Sequence, residues 1–346
     1  MDPSTPMPSP AELVRALAAQ NAQPLWDRYT RVTRREPAAP DAPWCWAWVD
    51  MEPLIARAIR EVGMEDAERR VLLLTHPAFQ GAAVTTTNLS SGLQTLLPGE
   101  IARAHRHTIQ AVRFVMEGAG AVTSVNAHRC TMSEGDLILT PAWTWHEHVH
   151  PGTGRVVWFD GLDLPLCTHL DSMFFEPAQA QQARPVDPPP TRAPAWCSGA
   201  VGLAPDAFDL RNPSDSRFRY AWERALEALD AAAPEADGSR LLRYVDGDSR
   251  GAVMPTLDCY LLGCEQGRAT RPYRSTSNAV CVVAQGQGSS QVGGTSLHWK
   301  RNDVFTLPHW NWISHTAGAG GAVIFLMTDR ELLASLGYLR DEESST

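Results

Sequence analysis

Four histidines carry the chemistry this sequence offers. His105 and His107 stand two apart, and His146 and His148 repeat that spacing further along the chain. In a strand, residues two apart point to the same face. The first pair would therefore project into one cavity, where His146 can supply a third imidazole and His148 a fourth. Imidazoles aimed inward together suit a divalent first-row metal, and Fe, Zn, Cu and Ni all fit. A lone His-x-His is more often a surface pair, but this one sits in a frame of turn residues. Gly99 stands six residues before His105, Gly118 closes the next segment, and Gly135-Asp136 leads into Pro141 and His146.

Short alternating segments must hold these side chains. Residues 112–116, 121–125 and 137–140 alternate and are separated by turn residues, the pattern of a small antiparallel barrel. A second strand-rich block, residues 254–327, repeats the first. Gly267, Tyr273, Arg274, Ser275 and Thr276 fall under Gly99, His105, Arg106, His107 and Thr108. The run from Pro308 to His315 falls under the run from Pro141 to His148. The three ligand positions become Tyr273, Ser275 and Ile313, so the second barrel is expected to be metal-free, with packing or oligomer contacts as its role.

The rest of the chain divides around these blocks. Residues 1–10 are rich in Pro and Ser and read as disordered. Residues 11–30 carry a helical stripe of Leu13, Leu17 and Leu25. Residues 44–48 alternate as an extended segment, and Asp50 can cap a helix bearing Leu54, Ile55, Ile59 and Val62. Strands are expected from Arg69 to Leu74 and from Leu93 to Leu97. Residues 177–194 read as a Pro/Ala/Gln linker, and residues 218–232 as a helix. The expected organisation is an N-terminal helical and extended arm over 1–68, a metal-bearing barrel over 69–175, a linker and helix over 176–250, and a metal-free barrel over 251–346.

Composition excludes some classes of function. The 346 residues carry 39 acidic and 30 basic side chains, a net charge of -9, which argues against nucleic acid or an anionic membrane as partner. Seven cysteines, at positions 45, 130, 167, 197, 259, 264 and 281, form no CxxC pair and suit a reduced cytoplasmic setting. No apolar run reaches membrane-spanning length, and the N-terminus lacks a basic-then-apolar signal pattern.

The turn-and-histidine frame resembles the two cupin motifs, with two departures. The motif's glutamate falls on Ala111 or Val112, and its final asparagine is His150, so three histidines stand without an acid. The runs AHRHTIQAVRFVMEG (104–118), GDLILTPAWTWHEH (135–148) and WFDGLDLPL (158–166) are similar to the gentisate 1,2-dioxygenase family, which includes salicylate and 1-hydroxy-2-naphthoate dioxygenases. The resemblance runs from about Trp44 to about Arg340. It implies an all-β dominated bicupin: two antiparallel jelly-roll barrels with N-terminal and linking helices. It also implies one Fe(II) per chain on His105, His107 and His146, a small aromatic acid and O2 as partners, and a homotetramer.

The activity so implied is ring cleavage between the carboxyl-bearing and hydroxyl-bearing carbons of a 2-hydroxybenzoate, with both oxygen atoms entering the product. Arg113 falls on the family's arginine, placed to hold the substrate carboxylate or bound oxygen, or else paired structurally to Glu117 or Asp136. His148 is placed for proton transfer, or else packs as a supporting histidine. Arg69, Gln94 and Asp160 match polar positions of the family's pocket. At Ser90 the family usually has Tyr or Trp, and Gly92 adds no bulk. Space there would admit a 5-substituted salicylate such as 5-nitrosalicylate, or a fused-ring acid such as 1-hydroxy-2-naphthoate; if another residue fills the gap, gentisate remains the substrate, and plain salicylate is a further alternative. The competing readings are a non-catalytic cupin sensor, an AraC-type regulator, which would need a helix-turn-helix, and an isomerase or quercetinase-like cupin, most of which retain the glutamate.

Overall fold

The computed structural model describes residues 10–178, 202–203 and 218–344. Most of the expected disordered start and of the linker lies outside them. Residues Met1–Ala38 form one unit and Ala39–Thr346 a second. In the leading unit the helix spans Pro10–Ala19, shorter than its leucine stripe predicts. Asn21 adopts a left-handed φ of 54° just beyond it, which a helix cannot pass through, and Pro24 follows. Tyr29–Val32 makes a separate short turn of helix.

The large unit holds both barrels, and the fold is that of the cupins, built mostly of antiparallel strands. The first barrel pairs two sheets. Val71–Leu73, Ser90–Leu96, Val156–Leu162, Ala111–Glu117, Leu137–Thr140 and Arg219–Tyr220 form a six-stranded sheet. Phe175–Pro177, Ile101–His107, His146–Val149, Ala119–Val125 and His128–Ser133 form the five-stranded sheet facing it. The second barrel is built on one ten-stranded sheet around two long strands, Ala279–Val292 and Ile313–Thr328.

The six-stranded sheet is buried on both faces, and strand alternation separates their uses. Val112, Phe114 and Phe159 face the second barrel, in one core with Tyr244, Phe325 and Met327. Phe114 stacks on Phe325 with ring centroids 4.4 Å apart. The residues between them, Arg113 and Asp160, therefore face the first barrel's interior.

Each barrel is completed by a segment that precedes the other. Cys45–Trp46, from the leading arm, pairs with Val304–Leu307 of the second barrel. The helix Trp48–Glu61 follows, and its Trp48 N–H donates to Asp303 Oδ1 at 2.7 Å. It starts ahead of Asp50, which lies in its first turn rather than at its cap. Arg219–Tyr220 pairs with Leu137–Thr140 of the first barrel. The helix Trp222–Ala231 follows in turn, with Trp222 N–H donating to Asp136 Oδ1 at 3.0 Å. An Asp on a tight turn thus caps the other half's helix, satisfying a donor that the helix cannot. The helix expected over 218–232 starts late because Arg219 and Tyr220 are taken by this sheet.

Packing at the seam leaves no room at Gly161. A Cβ there would meet Met327 Sδ at 2.1 Å and Phe159 Cε1 at 2.9 Å. Gly161→Ala should therefore overpack the seam and destabilise the chain by about 1–3 kcal/mol. Chemical denaturation reads this as a lower midpoint with unchanged slope. A midpoint equal to the parent's would mean that the seam repacks freely.

Candidate metal centre

Strand geometry gathers the three histidines. His105 pairs directly with His146 across adjacent strands, and His107 lies two residues further along the same face. The ring centroids are 4.1 Å apart for His105 and His146, 4.8 Å for His107 and His146, and 5.3 Å for His105 and His107. One potential ligand atom from each comes within 4.8 Å of the others, and all three residues are buried. Among the described residues this is the one group of three or more side chains so placed.

The hydrogen bonds behind the rings decide which nitrogen is free. Nδ1 of His105 faces the Arg103 carbonyl at 3.1 Å, that of His107 the Ile109 carbonyl at 2.9 Å, and that of His146 the Thr144 carbonyl at 2.9 Å. A carbonyl only accepts, so Nδ1 of His107 and of His146 carries the proton and Nε2 of each keeps its lone pair; at His105 the carbonyl shares Nδ1 with the donor-only guanidinium of Arg69. His146 Nε2 is buried without a hydrogen-bond partner. Burial, and then the charge of nearby Arg69, pushes His105 down to about 2. Burial and Arg113 push His107 down to about 4, and burial holds His146 well below the ordinary range. Three neutral imidazoles with ligand atoms converging within 4.8 Å fit a divalent metal. Arg69 crowds this arrangement from behind. Its Nη2 lies against His105 Nδ1 and donates to the same Arg103 carbonyl at 3.2 Å.

The six-stranded sheet supplies the facing wall. Arg113 lies opposite Asp160 in register, with Nε 3.2 Å from Asp160 Oδ1. Its Nη1 donates to Thr140 Oγ1, and Trp158 Nε1 donates to Asp160 Oδ1 at 3.1 Å. Burial pushes the Asp160 carboxyl up, and Arg113 beside it pulls it back. Glu117 and Asp136 pair with Arg155 and Arg219 instead. His148 is fully buried, Gln94 lies 1% exposed, and both keep an unpartnered nitrogen, Nε2 in each case. His150 is held away from this group by the Gly154 carbonyl at 2.7 Å. Ser90 is buried at the start of its strand, with Gly92 opposite Asp160. The space above Gly92 is already filled, since a Cβ there would meet Val71 Cγ1 at 2.7 Å. Gly92 thus makes room for Val71 rather than for a ligand.

Three contributors were not singled out in the sequence. Thr140 and Trp158 hold Arg113 and Asp160, and Phe175 stacks on His105 at 5.3 Å and 29°. Phe175 comes from an added edge strand paired with the ligand strand, for which no sequence signal exists. In the second barrel the register is kept and the chemistry is not. Tyr273 pairs with Ile313 as His105 does with His146, and Cys281 lies opposite Leu326 as Arg113 does opposite Asp160.

Comparison with known proteins agrees with this geometry. Residues 92–163 match the cupin domain model. The chain is 34% identical to gentisate 1,2 dioxygenase 1 of Aquipseudomonas alcaligenes over 96% of both chains. It is 34% identical to 5-aminosalicylate 1,2-dioxygenase of Comamonas sp over 94% of this chain and 88% of that one. The crystal structure of salicylate 1,2-dioxygenase from Pseudoaminobacter salicylatoxidans superposes with a TM-score of 0.83 at 27% identity, covering 100% of this chain and 97% of the other. With a buried three-histidine group able to hold a metal inside the first of two cupin barrels, the chain belongs to the gentisate and salicylate 1,2-dioxygenase family of ring-cleaving dioxygenases.

Proposed function

We propose that the chain binds one Fe(II) on His105, His107 and His146 and opens a 2-hydroxybenzoate, gentisate or a 5-substituted salicylate, between its carboxyl-bearing and hydroxyl-bearing carbons. The observation that carries this reading is the buried triad, with His146 Nε2 unpartnered, beside a buried guanidinium. If bound, iron would supply a Lewis-acid site for the substrate oxygens and a path for electron density from the substrate ring, the reductant, to dioxygen.

The protein's own groups do the rest. Arg113 offers a charged fork to the substrate carboxylate, and Arg69 adds a second positive charge on the same side. Both raise the local concentration of an anionic substrate. Asp160 offsets the cost of burying Arg113 and fixes its plane. His148 and Gln94 meet the substrate's remaining polar atoms, and Phe175 covers His105. Ser90 falls where the family resemblance implies a bulky ring, and its small side chain is our reason for placing a ring substituent on that side. The Comamonas relative's 5-amino substrate supports a 5-substituted ring here. We further propose a cytoplasmic homotetramer; no helix among the described residues is long and apolar enough to cross a membrane.

Elemental analysis should find one iron per chain, and His105→Ala/His107→Ala should lose it. Two irons per chain, or full iron in the double variant, would contradict the assignment. The second barrel indicates how to remove Arg113 without stranding Asp160, since breaking one partner of a buried pair costs about 3–5 kcal/mol. Arg113→Met/Asp160→Leu, in the register that Cys281 and Leu326 already occupy, should keep iron near one per chain. Turnover should fall by about 10²-fold or more. Parent-like turnover would remove the pair from the site. Ser90→Trp should lower kcat/KM for 5-nitrosalicylate far more than for salicylate, because selectivity is a difference in transition-state binding. An equal change for both substrates would exclude Ser90 as a selectivity residue.

A further inference from the structure

The ring proton of His148 has two places to sit, and the residues behind the ring choose between them. His148 Nδ1 lies 2.8 Å from Thr123 Oγ1, its direct cross-strand partner. Thr123 Oγ1 donates in turn to Met132 Sδ at 3.3 Å. All three residues are fully buried, and His148 Nε2 has no hydrogen-bond partner.

Thr123 gives its hydroxyl proton to Met132, so the 2.8 Å contact with His148 is left for Nδ1–H to donate across. A proton on Nδ1 satisfies every donor. Nδ1–H donates to Thr123 Oγ1, and the threonine O–H donates to the thioether, an acceptor and never a donor. Only the Nε2 lone pair then remains in the pocket.

We propose that Thr123 and Met132 are positioning residues that hold His148 with its proton on Nδ1, so that Nε2 meets the substrate as a hydrogen-bond acceptor. The ligand chemistry this selects is a hydroxyl that still carries its proton, on an aromatic acid. The second barrel shows the alternative wiring at the same spacing. Ser290 Oγ lies 2.8 Å from His315 Nδ1, but Trp299 stands where Met132 stands and donates Nε1–H to Ser290 Oγ at 2.8 Å. A donor has replaced the acceptor, so the hydroxyl proton of Ser290 is available to His315, whose Nε2 is likewise buried without a hydrogen-bond partner. The inference rests on the reading that His148 faces substrate.

The test is 15N NMR of histidine-labelled full-length chain loaded with Zn(II), with His148→Gln assigning the signal. The parent should show the Nδ1–H form. Met132→Leu, which conserves volume and removes the acceptor, should shift His148 toward Nε2–H. With iron and salicylate or gentisate, kcat should fall about tenfold with little change in KM and unchanged iron content. Thr123→Val should lower kcat similarly, and Thr123→Ser should restore both readouts. An Nε2–H parent, or Met132→Leu with the parent's tautomer and kcat, would overturn the proposal. If His148→Gln itself keeps full turnover, the reading of His148 at the substrate fails, while the tautomer result still decides what Thr123 and Met132 do.

Discussion

A guanidinium buried inside a barrel must be paired, because taking its charge out of water is costly and an unpaired polar group in the interior adds further cost. Arg113 is 4% exposed and meets that constraint through Asp160. Much of the first barrel is arranged around the pair. Trp158 occupies an interior position where its indole N–H can hold the carboxylate. Thr140 holds the guanidinium from the next strand. The intervening residues Val112, Phe114 and Phe159 carry the apolar face that binds the second barrel. One strand therefore contributes to the first barrel's interior and the domain seam at once, and a one-residue slip would exchange the two.

The same field acts on the histidines. Arg113 and Arg69 disfavour a second positive charge nearby, and burial works in the same direction. Backbone carbonyls at Ile109 and Thr144 fix the protons of His107 and His146 on the outward nitrogens. The chain thus presents neutral, oriented donors before any ion arrives, which lowers the reorganisation needed on binding.

How much of this the sequence disclosed follows from the range of each signal. The ligand pairs were legible because strand period and residue type act locally, at His105, His107, His146 and His148. The internal repeat carried the barrel architecture and the replacement of the ligand positions by Tyr273, Ser275 and Ile313. Contacts closed over long separations were not legible. Nothing local in Phe175 predicts its stacking on His105, and nothing in Gly92 announces that Val71 fills its space. Helix ends went astray for a related reason: Arg219 and Tyr220 read as helix and are drawn into a sheet formed far upstream.

The crosswise docking of the two halves has a consequence for what this chain can be divided into. Cys45–Trp46 completes the barrel that comes later, and Arg219–Tyr220 completes the one that comes earlier. A cut in the linker would leave each fragment with the other's strand and helix and without its own. The pairing has the pattern of a dimer with exchanged arms, here within one chain. Covalent joining replaces a bimolecular encounter with an effective concentration set by the tether, so the pairing does not weaken on dilution. Under that protection one half can hold Tyr273, Ser275 and Ile313 where the other holds histidines and still keep the same pairing.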